Sequence, residues 1–120
     1  MAIAVIFYEL SQKTSGLASL SAVQAVRLIN QGARVVDVRD QAQFAAGHIV
    51  DATNIPAAEL TEEVDKKLKG AKFIILVCDS GARSGKAVAA LRKAGNEKVF
   101  NLKGGLATWQ TENLPIVTPD

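Results

Sequence analysis

Phe73-Ile74-Ile75-Leu76-Val77 runs without a polar residue into Cys78-Asp79-Ser80-Gly81-Ala82-Arg83-Ser84, and a helix-forming stretch, Gly85 to Lys93, follows. A strand covered on both faces has no solvent side to alternate toward, so a continuous apolar run rich in branched side chains predicts a buried strand of a parallel sheet. Ligand sites in open α/β sheets lie just past the carboxyl ends of such strands. A turn delivering the chain into a helix leaves backbone N–H groups unpaired at the helix start, and these favour an anion at the centre of the loop. With the Cys78 thiol placed there, the amides, the helix dipole and Arg83 favour thiolate, the reactive form.

Free cysteine is commonly a small, inert, buried hydrophobe, so a core-filling reading of Cys78 stands beside the reactive one. A core cysteine gives no reason for its strand to end in a glycine-containing loop with an arginine five positions on, and that loop favours a reactive site.

Working outward, 120 residues make one domain, long enough to bury about two thirds of the surface the unfolded chain exposes. A hydrophobic share of 48% with 22% charged residues and a net charge of +2 is a globular composition, neither disordered nor strongly basic. The lysines and arginines are scattered or in short pairs such as Lys66-Lys67 and Arg92-Lys93, so no nucleic-acid footprint is expected. The single cysteine forms no internal disulfide, which fits a reducing, cytoplasmic compartment and a thiol free to react. No clustered ligand set suggests a metal, no cofactor is expected, and a monomer or weak dimer is.

Residues 1–17 read as a segment separate from the domain at 18–120. The apolar stretch Ala2 to Tyr8 is far short of the roughly 20 residues that span a bilayer and lacks a basic leader. Its readings are an edge strand, a docked segment, or the remnant of a membrane anchor carrying a cytoplasmic domain, with Glu9 to Gly16 as a linker.

Strand and helix signals alternate through the remainder. Ser21 predicts an N-cap for a helix over 22–31 that Gly32 ends. Arg34 to Val38 is a short strand, Gln41 to Ala46 one or two helical turns, and Ala52 to Ile55 a strand stopped by Pro56. Leu60, Val64 and Leu68, one turn apart, predict an amphipathic helix over 57–69 closed by Gly70. Val88 and Leu91, with Ala87, Ala90 and Ala94, mark the inner face of the helix after the cysteine loop; Val99 to Leu102 is a further strand, and Lys103-Gly104-Gly105 turns into a short helix carrying Trp109. This alternation argues for a parallel sheet covered on both faces.

Three segments in order resemble the rhodanese-like (sulfurtransferase) domain family over roughly Leu20 to Pro115. They are Val36-Asp37-Val38-Arg39-Asp40 with Phe44-Ala45-Ala46-Gly47-His48-Ile49 and Ala52-Thr53-Asn54-Ile55-Pro56; Cys78 to Ser84; and Gly104-Gly105-Leu106-Ala107-Thr108-Trp109. The resemblance implies a three-layer α/β/α domain around a central, mostly parallel sheet of about five strands. It also implies an enzyme, a sulfurtransferase of the thiosulfate:cyanide type, in which Cys78 takes a sulfane sulfur from a donor, holds it as a persulfide and passes it to a thiol or cyanide. Asp79, Ser80, Gly81, Ala82, Arg83 and Ser84 would form the persulfide-binding loop, and Asp37, Arg39, His48 and Trp109 would support it structurally.

Phosphatase and arsenate-reductase relatives of this fold use a C-x5-R loop, whereas four residues separate Cys78 from Arg83. The tighter cradle suits one sulfur atom better than a tetrahedral oxyanion and leaves phosphatase chemistry the lesser enzymatic alternative. Asp79 stands where many thiosulfate-using relatives have a basic residue, and its charge opposes an anionic donor. A small or protein-borne persulfide is therefore an equal candidate. The non-enzymatic alternative is a rhodanese-like interaction or regulatory module; such modules commonly lack the cysteine. His48 as a general base is weighed against a structural role, which its Gly-His-Ile setting favours. Asp37 and Arg39 are read as ionic scaffolding, Trp109 as a core anchor, and Ser84 either as a cap or as a donor to the sulfur.

Overall fold

The computed structural model describes residues 18–119 apart from 62 and 69, so the readings of Ala2–Tyr8 and Glu9–Gly16 fall outside the described residues. Its core is a five-stranded, wholly parallel sheet of β1 (Ser19–Leu20), β2 (Arg34–Asp37), β4 (Thr53–Asn54), β5 (Ile74–Val77) and β6 (Val99–Leu102), in the order β1-β6-β5-β2-β4. The apolar run is the central strand β5: Ile74, Ile75, Leu76 and Val77 are each no more than 1% exposed. Successive side chains point to opposite faces, so the strands feed two cores. Val36, Val38, Ile74, Leu76, Cys78 and Val99 fall in one, and Val35, Ile75, Val77 and Leu102 in the other.

The second core is closed by α1 (Ala22–Asn30), through Ala22 and Ala25, and by α5 (Gly105–Thr111), through Leu106 and Trp109. Ser21 starts α1 with a capping box: its hydroxyl accepts from Gln24 N at 3.1 Å while its own N–H donates to Gln24 Oε1 at 2.9 Å. The first core is closed by α4 (Ala82–Lys93), through Val88 and Leu91, together with Val64 and Leu68. Three layers result, as the alternation of signals predicts.

The stretch 57–69 is the main departure. A 3-10 turn over Ala57–Glu59 and a single turn, α3 (Val64–Lys67), replace one long helix, with Leu60 extended between them. Thr61 accounts for the break, because its hydroxyl accepts the Glu63 N–H at 3.3 Å and so offers the backbone a non-helical partner. Leu60, Val64 and Leu68 still reach the same core, so the spacing correctly marks the buried face while misjudging the backbone. A second, two-stranded antiparallel sheet pairs β3 (His48–Ile49) with β7 (Ile116–Val117); two-residue strands carry no readable period. The remaining helix is α2 (Gln41–Ala46), capped by Asp40.

Candidate active site

The carboxyl ends of β2, β5 and β6 meet at one edge of the sheet, and Cys78 follows β5 directly. Gly81 then turns the chain with φ +94°, a left-handed conformation that favours glycine. Ala82 is therefore already helical, and α4 begins three residues earlier than the Gly85 start expected from the sequence. This tight entry aims amides inward. Cys78 Sγ accepts hydrogen bonds from Gly81 N at 3.1 Å and Ser84 N at 3.4 Å, and the Ser84 hydroxyl oxygen lies within donating reach of it at 3.3 Å. Ser84 lies inside the first turn of α4, whose N-cap Gly81 has no side-chain bond, so its hydroxyl is placed beside the sulfur and Asn101 and does not cap the helix end.

Burial pushes the Cys78 thiol pKa up, and the hydrogen bonds from the Ser84 hydroxyl and the N–H groups of Ser84, Gly81 and Ser80 more than offset it; the net displacement is downward, toward thiolate. The sulfur's residue is 3% exposed, yet it lines the floor of a pocket of about 320 Å³ with Asp79, Ser80, Ala82, Arg83 and Lys86. Arg83 is exposed at the rim and the sulfur's hydrogen-bond donors are amides and a hydroxyl, so the guanidinium sits beside the site as a surface charge.

Asp79 is anchored as well. Its carboxylate accepts from Gln43 Nε2 at 3.3 Å and lies 3.7 Å from Arg39 Nη1, while its side chain remains 56% exposed. Arg39 is buried against Asp37, donating through Nε at 3.0 Å and Nη2 at 2.8 Å, and Nη2 also reaches the Gly47 carbonyl at 2.6 Å. Hydrogen bonding to Asp37 holds the Arg39 guanidinium above its usual value against an opposing desolvation effect. Asn54 ties this corner down by donating to the carbonyls of Asp37 and Arg39, both at 3.0 Å.

His48 contacts the Phe44 carbonyl through Nδ1 at 2.8 Å and stacks on the Phe44 ring at 3.8 Å, and it does not line the Cys78 pocket. Trp109, 4% exposed, donates through Nε1 to the Pro115 carbonyl at 3.0 Å. A larger, mainly apolar concavity of about 660 Å³, bordered by Val26, Ile29, Trp109 and Leu114, shares no residue with the cysteine pocket.

Two contributors have no signal in the loop sequence. Asn101, from β6, accepts from the Ser84 hydroxyl at 2.5 Å and donates to the Gly81 carbonyl at 3.2 Å. The start of α5 clamps the loop backbone, Leu106 N donating to Cys78 O at 2.9 Å and Ala107 N to Asp79 O at 3.1 Å. Gly105 has φ +59°, and a Cβ there would overlap Cys78 O and stand 2.6 Å from Asp79 O. Gly105→Ala is expected to destabilise the fold by about 2–3 kcal/mol, the range of overpacking against atoms that cannot turn aside. Chemical denaturation checks this, and a loss below about 0.5 kcal/mol would contradict the close fit.

Main-chain donors thus converge on a cysteine sulfur between a buried strand and a helix, an arrangement that favours negative charge there. Residues 21–112 match the sequence profile of the Rhodanese-like domain. The uncharacterized Bacillus subtilis protein YqhL is 39% identical over 77 residues, covering 64% of this chain and 60% of its own length, so this chain spans somewhat under two thirds of that relative. Thiosulfate sulfurtransferase 18 of Arabidopsis thaliana is 36% identical and is matched over 92% of this chain and 90% of its own. Among solved structures, a rhodanese-related protein from Thermoplasma volcanium superposes with a TM-score of 0.71 at 32% identity, over 82% of this chain and 96% of that one. With its fold, its profile match and its relatives in agreement, the chain belongs to the rhodanese-like domain family.

Proposed function

We propose that the protein is a sulfurtransferase that carries a sulfane sulfur on Cys78. The observation that supports this reading most is the set of three donor groups converging on Cys78 Sγ, the N–H groups of Gly81 and Ser84 and the Ser84 hydroxyl. In the first half-reaction the thiolate attacks the outer sulfur of the donor; the new S–S bond forms as the donor's S–S bond breaks, and the donor leaves with that electron pair. In the second, a thiol or cyanide attacks the terminal sulfur and Cys78 departs as thiolate. A persulfide's terminal sulfur is anionic near neutral pH, so donors preorganised around it stabilise the intermediate without reorganisation. The same donors stabilise Cys78 as leaving group.

Asp79 supports a persulfide-bearing donor over thiosulfate. Its anchored carboxylate stands at the pocket rim, where it repels a dianion. Asp79→Asn keeps the shape and removes the charge, and is expected to raise kcat/KM for thiosulfate, a dianion, about three- to tenfold, the scale of one exposed charge, while raising that for a small organic persulfide, a monoanion, by less than twofold. Equal effects on both donors would remove the electrostatic explanation, as would none.

Mass spectrometry tests the function itself. Incubation with thiosulfate or a small persulfide is expected to add one sulfur to Cys78, lost again on adding cyanide or a thiol. No adduct with either donor would transfer the argument to a binding module.

A further inference from the structure

The Ser84 hydroxyl has one hydrogen and two acceptors. Its oxygen lies 2.5 Å from Asn101 Oδ1 and 3.3 Å from Cys78 Sγ. The Asn101 amide cannot turn over to relieve this, because its Nδ2 faces the Gly81 carbonyl at 3.2 Å, and a carbonyl only accepts. Its oxygen therefore points at Ser84, so in the resting state the hydroxyl must donate to it. Solvent offers no second donor: Ser84 is 0% exposed and Asn101 9%. Register fixes the arrangement from both sides, since Asn101 pairs with Ser19 of β1 and Leu76 of β5.

We propose that Asn101 is a positioning residue that competes with Cys78 for the Ser84 hydrogen, holding it off the sulfur until negative charge develops there. When Cys78 becomes thiolate, on ionisation or as leaving group, the hydroxyl rotates from Asn101 Oδ1 to Sγ. Ser84 thus acts as a rotor, and Asn101 sets the threshold at which it turns. The inference rests on Cys78 being the nucleophile; beyond that it concerns only the thiol's ionisation.

The test is a thiolate titration of the full chain, by ultraviolet absorbance and by alkylation rate against pH. Asn101→Leu is expected to lower the Cys78 midpoint by about one pH unit, which is about tenfold more thiolate at any fixed pH below the midpoint. In a Ser84→Ala background the same substitution is expected to change nothing, because the group through which Asn101 acts is gone. Asn101→Asp keeps an oxygen acceptor against Ser84 and is expected to titrate at or above wild type. Asn101→Val serves as the second acceptor-free variant should the leucine variant fail to fold. The charged groups at the mouth, Asp79 of the loop and Arg83 and Lys86 of α4, with Arg39 reaching Asp79, are the same in every variant. A leucine or valine midpoint at or above wild type overturns the proposal. So does an equal shift without Ser84, or a downward shift in the aspartate variant. Sulfur uptake by wild type is scored separately by mass, so its failure would remove the transferase reading while leaving the titration to judge Asn101.

Discussion

Cys78→Ser is expected to reduce sulfur transfer to the uncatalysed background, a loss of at least about 10³-fold, because a covalent nucleophile has no substitute once deleted. The hydroxyl is close in size, and the cradle's donors from Gly81 and Ser84 are main-chain groups that survive the change. The fold should therefore remain, and the variant should take up no sulfur from any donor. Serine does not ionise near neutral pH, so neither half-reaction has its anion. Steady-state assay with a persulfide donor, alongside mass measurement, checks the expectation. Retention of more than a few per cent of the rate would mean that the acceptor attacks the donor directly and that the sulfur never rests on the protein.

Asp37→Ala has the largest expected effect on stability, a loss of about 3–5 kcal/mol, the magnitude found when one partner of a buried ion pair is removed. Asp37 is 1% exposed and its carboxylate receives the Arg39 side chain and the Arg39 backbone N–H. Without it, Arg39 keeps, among the described residues, the Gly47 carbonyl and the more distant Asp79, and a guanidinium stays charged at any accessible pH. Domains of this size have only about 5–15 kcal/mol to lose. Denaturant unfolding measures the change, and a loss under about 1 kcal/mol would show that Arg39 finds solvent instead. Sulfur transfer should fall as well, because Arg39 also restrains Asp79 in the cysteine loop.

How much of this was legible in the sequence follows from how local each feature is. The run from Phe73 to Val77 is readable because a strand buried on both faces needs apolar residues at every position, and Cys78 to Ser84 is contiguous with it. The terminator Gly32 is readable because it holds a φ of +101°, a conformation costly for other residues. Asn101 is not readable. An asparagine in a strand faces either layer according to register, and only the pairing of β6 with β5 brings it to Ser84. The clamp from Gly105 belongs to the same class: the glycine pair announces a turn, but not that the turn lies on Cys78 O. The stretch 57–69 fails for the opposite reason, since periodic burial of Leu60, Val64 and Leu68 survives a broken helix. The loop's spacing predicts amides, the helix dipole and Arg83 around the sulfur; the hydrogen-bond donors found there are the amides of Gly81 and Ser84 and the Ser84 hydroxyl, with Arg83 lining the pocket beside them.

The pH dependence of stability follows from the same cradle. With the folded thiol displaced below the unfolded value of about 8.5, the thiolate's contribution is complete above that value and disappears as pH falls through the folded midpoint. The stability of wild type relative to Cys78→Ser should accordingly rise with pH across that window and then level off.

The most direct measurement is the ionisation of Cys78 in the native chain, followed by alkylation rate against pH and compared with the same protein unfolded in denaturant. A native midpoint below the unfolded one is predicted, since three hydrogen bonds stabilise the anion against the cost of burial. A native midpoint at or above it would mean that desolvation prevails, and Cys78 would then be a core side chain and not a sulfur carrier.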